Sequence, residues 1–372
     1  MTINNGLEGV VAAATRLSHV DGERGELIIA GFPLAELASN ATFEEATYLL
    51  WYGTLPTAQQ LARFRADLAA QRALSAATMA LLRECATARL DGMDALRVAA
   101  GTISLASSDA TSIVAKIPTI VAAYARLSAN QEPIAPRNDL GHAANYLYML
   151  QGDAPDTERE RALETYLNTV IDHGLNASTF ACRVITSTGS DLVSAIVGAI
   201  GALKGPLHGG APGPALAMVF EIAEASRAEE VLRAKIERGD RLMGFGHRVY
   251  KVRDPRADVL GAAAERLFNR GGDVALYTLA RSVEATAVRL LEEYKPGRRL
   301  QTNVEFYTAL LLHGLGLDVP QFTPTFAIGR VSGWIAHALE QRTAGRLIRP
   351  SSQYVGERDR TWIPLDARIA AA

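Results

Sequence analysis

Apolar side chains recur at spacings of three and four along this 372-residue chain, the repeat of helices with one face turned to a core. In the stretch that begins TAQQLARF, Leu61, Phe64 and Leu68 share a face. Thr57, with Gln60 three residues on, forms a capping box that starts the helix. TERERALETYLNTVI repeats the pattern, with Thr157 and Glu160 at its start and a stripe of Leu163, Tyr166, Leu167, Val170 and Ile171. SRAEEVLRAKIERG pairs Ser226 with Glu229 and stops at Gly239, and DPRADVLGAAAERLFNRGG puts Asp254 at the N-cap, Pro255 at the first helical position and Gly271 at the end. LVSAIVGAIGAL (192–203) is apolar all round, too short to span a bilayer, and reads as a buried helix whose small residues permit close packing. Strand signals are few: GELIIAGF predicts a small hairpin near the start. The strand–helix alternation of a parallel sheet is missing, so the pattern predicts an all-α protein.

Composition narrows the function classes. The chain is 48% hydrophobic and 21% charged with a formal net charge of −2. That gives no global basic field for nucleic acid or an anionic membrane, so an anionic ligand must be met by local arginines. Cys85 and Cys182 stand far apart with no CxxC, against a disulfide framework or a zinc site. The first 30 residues lack a basic stretch leading into an apolar run, so no secretory signal is expected and the location predicted is cytoplasmic. The length suggests about two domains. Loops at 205–214, 239–254 and 295–303 make the stretch between the first and last of them the candidate second domain.

Familiar phosphate and hydrolase motifs are absent: there is no GxxxxGK[ST], HExxH or GxSxG, and GFGHRV carries Val249 where a dinucleotide loop needs its last glycine. Histidines among breakers remain. His173 in DHGLNASTF, His208 in GPLHGGAPGP and His247 in GFGHRVY each stand where a loop can bring a ligand close to backbone and ring. His313 fits the last turn of a helix ending at Gly314 and reads as structural. His19, His142 and His337 have no polar constellation in sequence, which predicts surface or capping roles. Arg256 falls in the first turn of the helix begun by Asp254 and Pro255, where a helix start and a guanidinium both favour a carboxylate. Glu305, just before an apolar run, reads either as a first-turn glutamate stabilising the helix dipole or as a general base.

DHGLNASTF, GPLHGGA, GFGHRVYKVRDPRA, NVEFYTALLL, FTPTFAIGRVSGWIAHALEQ and RLIRP follow one another in that order. Together they resemble the citrate synthase family in its shorter bacterial form, which includes methylcitrate synthases. The opening GLEGVVAAATRLSHVDGERGELIIAGFPLAELA and FEEATYLLWYGTLP resemble that family's first segment, so the resemblance covers nearly the whole chain. It implies an all-α homodimer of the citrate synthase fold. Residues 1–210 and 317–372 would form the large, dimer-forming domain on the oxaloacetate side, and 211–316 the small CoA-binding domain that closes over the site.

The implied reaction condenses acetyl-CoA with oxaloacetate and then hydrolyses the thioester, releasing citrate and CoA as in the tricarboxylic acid cycle. The resemblance gives His208 the acyl carbonyl oxygen, His247 the oxaloacetate ketone and Glu305 the place of the base. It gives His173, Arg256 and Arg330 the oxaloacetate, with Arg349 reaching the neighbouring subunit's site. The loop containing Leu242, Gly244 and Gly246, with Lys251 and Asn303, would bind CoA. No metal and no cofactor is implied, since the CoA thioester is a substrate. One residue departs from the pattern: the family's NVDFY is NVEFY here, and Glu305 reaches one methylene further than aspartate.

The implied chemistry is physically coherent. A carboxylate at the thioester's methyl group and a donor at its carbonyl oxygen address both ends of enolisation. Three guanidinium forks suit a dicarboxylate. Alternatives remain at this level: propionyl-CoA as substrate, a non-catalytic dimer that binds CoA or oxaloacetate, or a metal-dependent hydrolase built on His173, His208 and His247. The last has no close pair of ligands in sequence.

Overall fold

Caps and breakers set the element boundaries in the computed structural model, which describes residues 4–7, 9–105, 109–209 and 212–368. A three-stranded antiparallel sheet comes first: β1 (Ser18–Asp21), β2 (Glu26–Ile29) and β3 (Phe32–Pro33), with Ser18 opposite Ile29 and Ile28 opposite Pro33. Helices make up the rest. The first eight are α1 (Leu34–Asn40), α2 (Phe43–Tyr52), α3 (Ala58–Ala70), α4 (Ala76–Thr87), α5 (Gly92–Ala100), α6 (Ala110–Ser128), α7 (His142–Gln151) and α8 (Thr157–Thr169). Then follow α9 (Ala177–Ser187), α10 (Leu192–Leu203), α11 (Pro212–Ile222), α12 (Ala228–Glu237), α13 (Pro255–Asn269), α14 (Val274–Tyr294), α15 (Val304–Gly314) and α16 (Val319–Ala344). Among the described residues no helix is long and apolar enough to cross a membrane.

Most boundaries follow local chemistry. The Thr57–Gln60 capping box opens α3, and the stripe from Leu163 to Ile171 is wholly buried. Asp254 caps α13 with Pro255 behind it, and Gly239 and Gly271 end their helices at positive φ. Three starts differ from expectation. Asp156, one residue before Thr157, caps α8, because its carboxylate reaches the Arg159 N–H at 2.9 Å. A 3₁₀ turn over Ala225–Arg227 precedes α12, so Ser226 caps nothing. The breaker loop also ends early. α11 begins at Pro212, since proline lacks only an N–H that a helix start leaves unused. Residues 210 and 211 of that loop lie outside the described residues.

The core is built around α16, which packs against α2, α5, α6, α8, α9 and α10 and is buried on every side from Ala327 to Ala338. Two of its glycines bring the site together. A Cβ on Gly333 would stand 2.1 Å from the Ile171 carbonyl oxygen, and one on Gly329 would stand 2.7 Å from Val170 Cγ2. Only glycine lets the segment that leads into His173 lie directly on α16, one residue from Arg330. On the other flank α13 packs against α15, α8 and α1. Its preceding loop touches the first β-turn, where Lys251 donates its backbone N–H to the Gly22 carbonyl at 2.8 Å.

Candidate active site

The start of α13 supplies the first anchor. Asp254 caps the helix through the Arg256 N–H at 3.0 Å, and the same carboxylate spans the Arg256 guanidinium, accepting from Nε at 3.0 Å and Nη2 at 2.8 Å. It also accepts the Val304 N–H at 3.1 Å, which ties α13 to the start of α15. Burial works to raise the Asp254 carboxyl, but Arg256 outweighs it and holds the group below the usual carboxylate range.

His247 completes this corner. Its Nδ1 accepts the backbone N–H groups of Val249 and Tyr250, each at 3.1 Å. A neutral ring must then carry its proton on Nε2. That nitrogen faces Arg256 Nη2 at 3.2 Å. Two N–H donors do not bond each other, so with Nε2 protonated this contact leaves donor capacity for an acceptor. Burial first, and Arg256 second, lower the His247 pKa to about 4, so the ring is neutral near pH 7.

His173 and Arg330 enter from α16's side. The His173 ring lies 6.0 Å from that of His247, with Nε2 at 3.0 Å from the Tyr250 hydroxyl. Burial, then the charges of Arg256 and Arg330, hold it neutral. Arg330 is 1% exposed, donates Nε to the Val170 carbonyl and lies over the Phe326 ring at 4.7 Å. Among the described residues it makes no ion pair. Burial draws its pKa down to about 10, although the Asp172 charge nearby opposes this.

His208 and Glu305 complete the set. His208 Nε2 lies 2.8 Å from the buried Ser178 hydroxyl, which accepts the Trp334 indole N–H at 3.1 Å and stands 2.8 Å from Asn176 Oδ1. That hydroxyl has one proton. Donated to Asn176, it makes His208 Nε2 the protonated nitrogen; donated to Nε2, it leaves the proton on Nδ1. Burial, then Arg330, lower the His208 pKa to about 4. Glu305 stands in the first turn of α15, its N–H donated to Asn303 Oδ1 at 3.0 Å, and burial raises its carboxyl while Arg256 and Arg241 oppose. The Arg330 charge thus acts on His173 and His208, and the Arg256 charge on His173, His247 and Glu305. Six residues spread over half the chain share one electrostatic neighbourhood.

Comparison with known proteins bears on the chain as a whole. Residues 6–351 match the family model for the citrate synthase C-terminal domain. The citrate synthase of Haloferax volcanii is 40% identical, over 98% of this chain and 99% of that protein. The 2-methylcitrate synthase of Mycobacterium tuberculosis is 38% identical, over 96% and 92%. The chain belongs to the citrate synthase family. A solved structure of citrate synthase from Thermoplasma acidophilum, in a ternary complex with carboxymethyl coenzyme A and oxaloacetate, has a TM-score of 0.89 at 31% identity and covers 99% of this chain and 100% of its own. The all-α citrate synthase fold is therefore shared.

The other expected site residues of this family member differ in how they relate to the set. Arg349 is exposed and makes no ion pair within the chain among the described residues. Lys251 is exposed, its Nζ 3.2 Å from the Arg248 carbonyl. Leu242 is buried in the core. Asn303 is buried too: it caps α15 and donates Nδ2 to the Gly246 carbonyl at 2.8 Å, while its backbone N–H donates to Gly244 O at 2.9 Å. These contacts hold the loop of Gly244 and Gly246 against α15. Both glycines sit at positive φ.

Two histidines read as surface or capping residues prove to be buried. His142 is enclosed, stacked 4.6 Å from Phe43, with burial lowering its pKa to about 3. His337 is fully buried in a chain of polar contacts behind the site. Arg183 has only donors, so His337 Nδ1 accepts from it at 3.0 Å, and Nε2–H donates to Asp172 Oδ1 at 3.1 Å. Asp172 Oδ2 accepts the Ser18 hydroxyl at 2.6 Å, and Arg183 continues to Glu340 at 2.6 Å. Asp172 precedes His173, and His337 follows Arg330 by seven residues on one helix face. That spacing was a legible signal; the burial that gave it meaning was not. His313 lies in the last turn of α15 as expected, its ring 5.2 Å from Phe220, and His19 is exposed on β1.

Proposed function

We propose that the enzyme condenses acetyl-CoA with oxaloacetate and hydrolyses the resulting thioester, releasing citrate and CoA. The observation that carries this reading is Arg330, buried and without an ion pair among the described residues, in the electrostatic neighbourhood of Arg256 and of the His247 ring that lies against it. A dianion with a ketone supplies what that arrangement lacks. Its carboxylates answer the guanidinium groups, and its ketone oxygen accepts from His247 Nε2 alongside Arg256 Nη2.

On this reading Glu305 takes a methyl proton from acetyl-CoA, and its burial-raised pKa makes it a stronger base than an exposed glutamate. The electron pair moves onto the thioester oxygen, which accepts the His208 Nδ1 proton as a hydrogen bond once Ser178 donates to Nε2. The enol carbon then attacks the oxaloacetate ketone, whose oxygen takes the proton from His247 Nε2. Water cleaves the thioester last. Side chains carry the proton transfers in this reading, and it calls for no metal or redox cofactor.

The finer reading includes closure of residues 211–316 over 1–210 and 317–372, with Lys251 and the loop around Gly244 and Gly246 facing CoA. It also includes a homodimer in which the exposed Arg349 completes the partner's oxaloacetate site, and a cytoplasmic place in the tricarboxylic acid cycle. Propionyl-CoA is the second reading, favoured by the 2-methylcitrate synthase relative. One methylene in an apolar pocket is worth about 1–3 kcal/mol, so both thioesters can be turned over. The test is CoA release with oxaloacetate present, comparing kcat/KM for the two thioesters and using His208→Ala as the blank. A higher value for acetyl-CoA is expected. A clear preference for propionyl-CoA replaces the first reading with the second, and no release above the blank leaves a binding protein.

A further inference from the structure

Glu284 has no place in the chemistry, yet it sits where both halves of that chemistry are held. It is mid-way along α14 and 5% exposed. Oε1 accepts from Arg253 Nη1 at 2.7 Å and from the Thr302 hydroxyl at 2.7 Å; Oε2 accepts from the Tyr307 hydroxyl at 2.5 Å and from Arg281 Nη1 at 3.1 Å. One buried carboxylate is thereby saturated by four donors, two of them cationic, so it has no capacity left for a ligand.

The positions of those donors matter more than their number. Arg253 adjoins Asp254 and stands three residues before Arg256, on the segment that carries His247 and the paired guanidinium. Thr302 and Tyr307 bracket Glu305, three residues before it and two after. The two segments also meet directly: Asp254 donates its N–H to the Thr302 carbonyl at 3.3 Å, and Asp254 accepts the Val304 N–H. Glu284 lies behind this junction and grips it from both sides.

We infer that Glu284 is a positioning residue that fixes the start of α15, and with it Glu305, against the Asp254–Arg256 corner. Taking the proposed condensation as the reaction, this sets the distance between the base at the acetyl methyl group and the ketone of oxaloacetate. The reach of the base depends on where its helix begins, and Tyr307 and Thr302 tie that beginning to a rigid carboxylate on a third helix.

The inference separates two arms that a merely structural ion pair would not. Tyr307→Phe releases only the base's side. It is expected to lower kcat and raise the isotope effect with trideuterated acetyl-CoA, because proton removal becomes slower, while KM for oxaloacetate holds. Arg253→Met releases the other side, together with the ion pair that Arg253 makes to Asp258. It is expected to raise KM for oxaloacetate, and to weaken oxaloacetate binding measured by calorimetry, with the isotope effect unchanged. Glu284→Gln, which keeps the shape and removes the charge, is expected to show both changes, with kcat lower by about a hundredfold. Melting temperatures of the three variants are recorded alongside. Parallel losses of kcat, affinity and melting temperature without the split overturn the inference, as does an unchanged Glu284→Gln. A wild-type protein that releases no CoA refutes the proposed reaction instead, and the calorimetric arm still decides the role of Glu284.

Discussion

Arg256 and Arg330 are both buried guanidinium groups, both act on His173 and stand on different helices, yet they are held in opposite ways. Asp254 spans Arg256 from the start of α13, so that corner is close to neutral and its worth is geometry: a fork fixed beside His247. On α16, Arg330 has a carbonyl and an aromatic face but no ion pair among the described residues, and the carboxylate that acts on it, Asp172, is already engaged by Ser18 and His337. A buried charge without a partner costs the free protein stability, and that cost is recovered when an anion arrives. The paired arginine orients; the unpaired one attracts.

The widest difference is expected on removing the paired arginine. Arg256→Met strands Asp254 in the interior and should destabilise the ligand-free protein by about 3–5 kcal/mol, read from urea unfolding. Arg330→Met should do the reverse: ligand-free stability holds or rises, while oxaloacetate binding weakens by about 2–5 kcal/mol, read by calorimetry. Equal stability losses in the two variants would break the comparison.

The smallest effect expected is in the pH dependence. His208 and His247 ordinarily titrate near 6.5 and are lowered to about 4 in the fold, chiefly by burial. Between those values the unfolded chain binds more protons than the folded one, so stability rises with pH through that window and is lost on acidification from about 6.5 towards 4. Because Arg330 helps depress His208 and His173, Arg330→Met should flatten this slope, whereas a slope unchanged by the variant would mean that burial alone sets it.

Much of this was written locally. The helix stripes, the Thr57 and Asp254 caps, the breaker loops around His208 and His247 and the short hairpin all follow from residues within a few positions of one another. The motif set of His173, His208, His247, Arg256, Glu305 and Arg330 was legible for the same reason: each member carries its own neighbours with it. Where two local signals competed, as with Asp156 against Thr157 at the start of α8, the sequence left one residue of slack.

What it left open was long-range burial and pairing. His337 has no polar neighbour in sequence, and its partners Asp172 and Arg183 lie over 150 positions away. Glu284 reads as one more helix-face glutamate until Arg253, Thr302 and Tyr307 converge on it. Local sequence fixed the elements and the kinds of chemistry, because helix period and capping are nearest-neighbour physics. Which charges are buried, which are paired and which ring nitrogen keeps its proton were decided by packing, because those depend on groups that the chain brings together only when it folds.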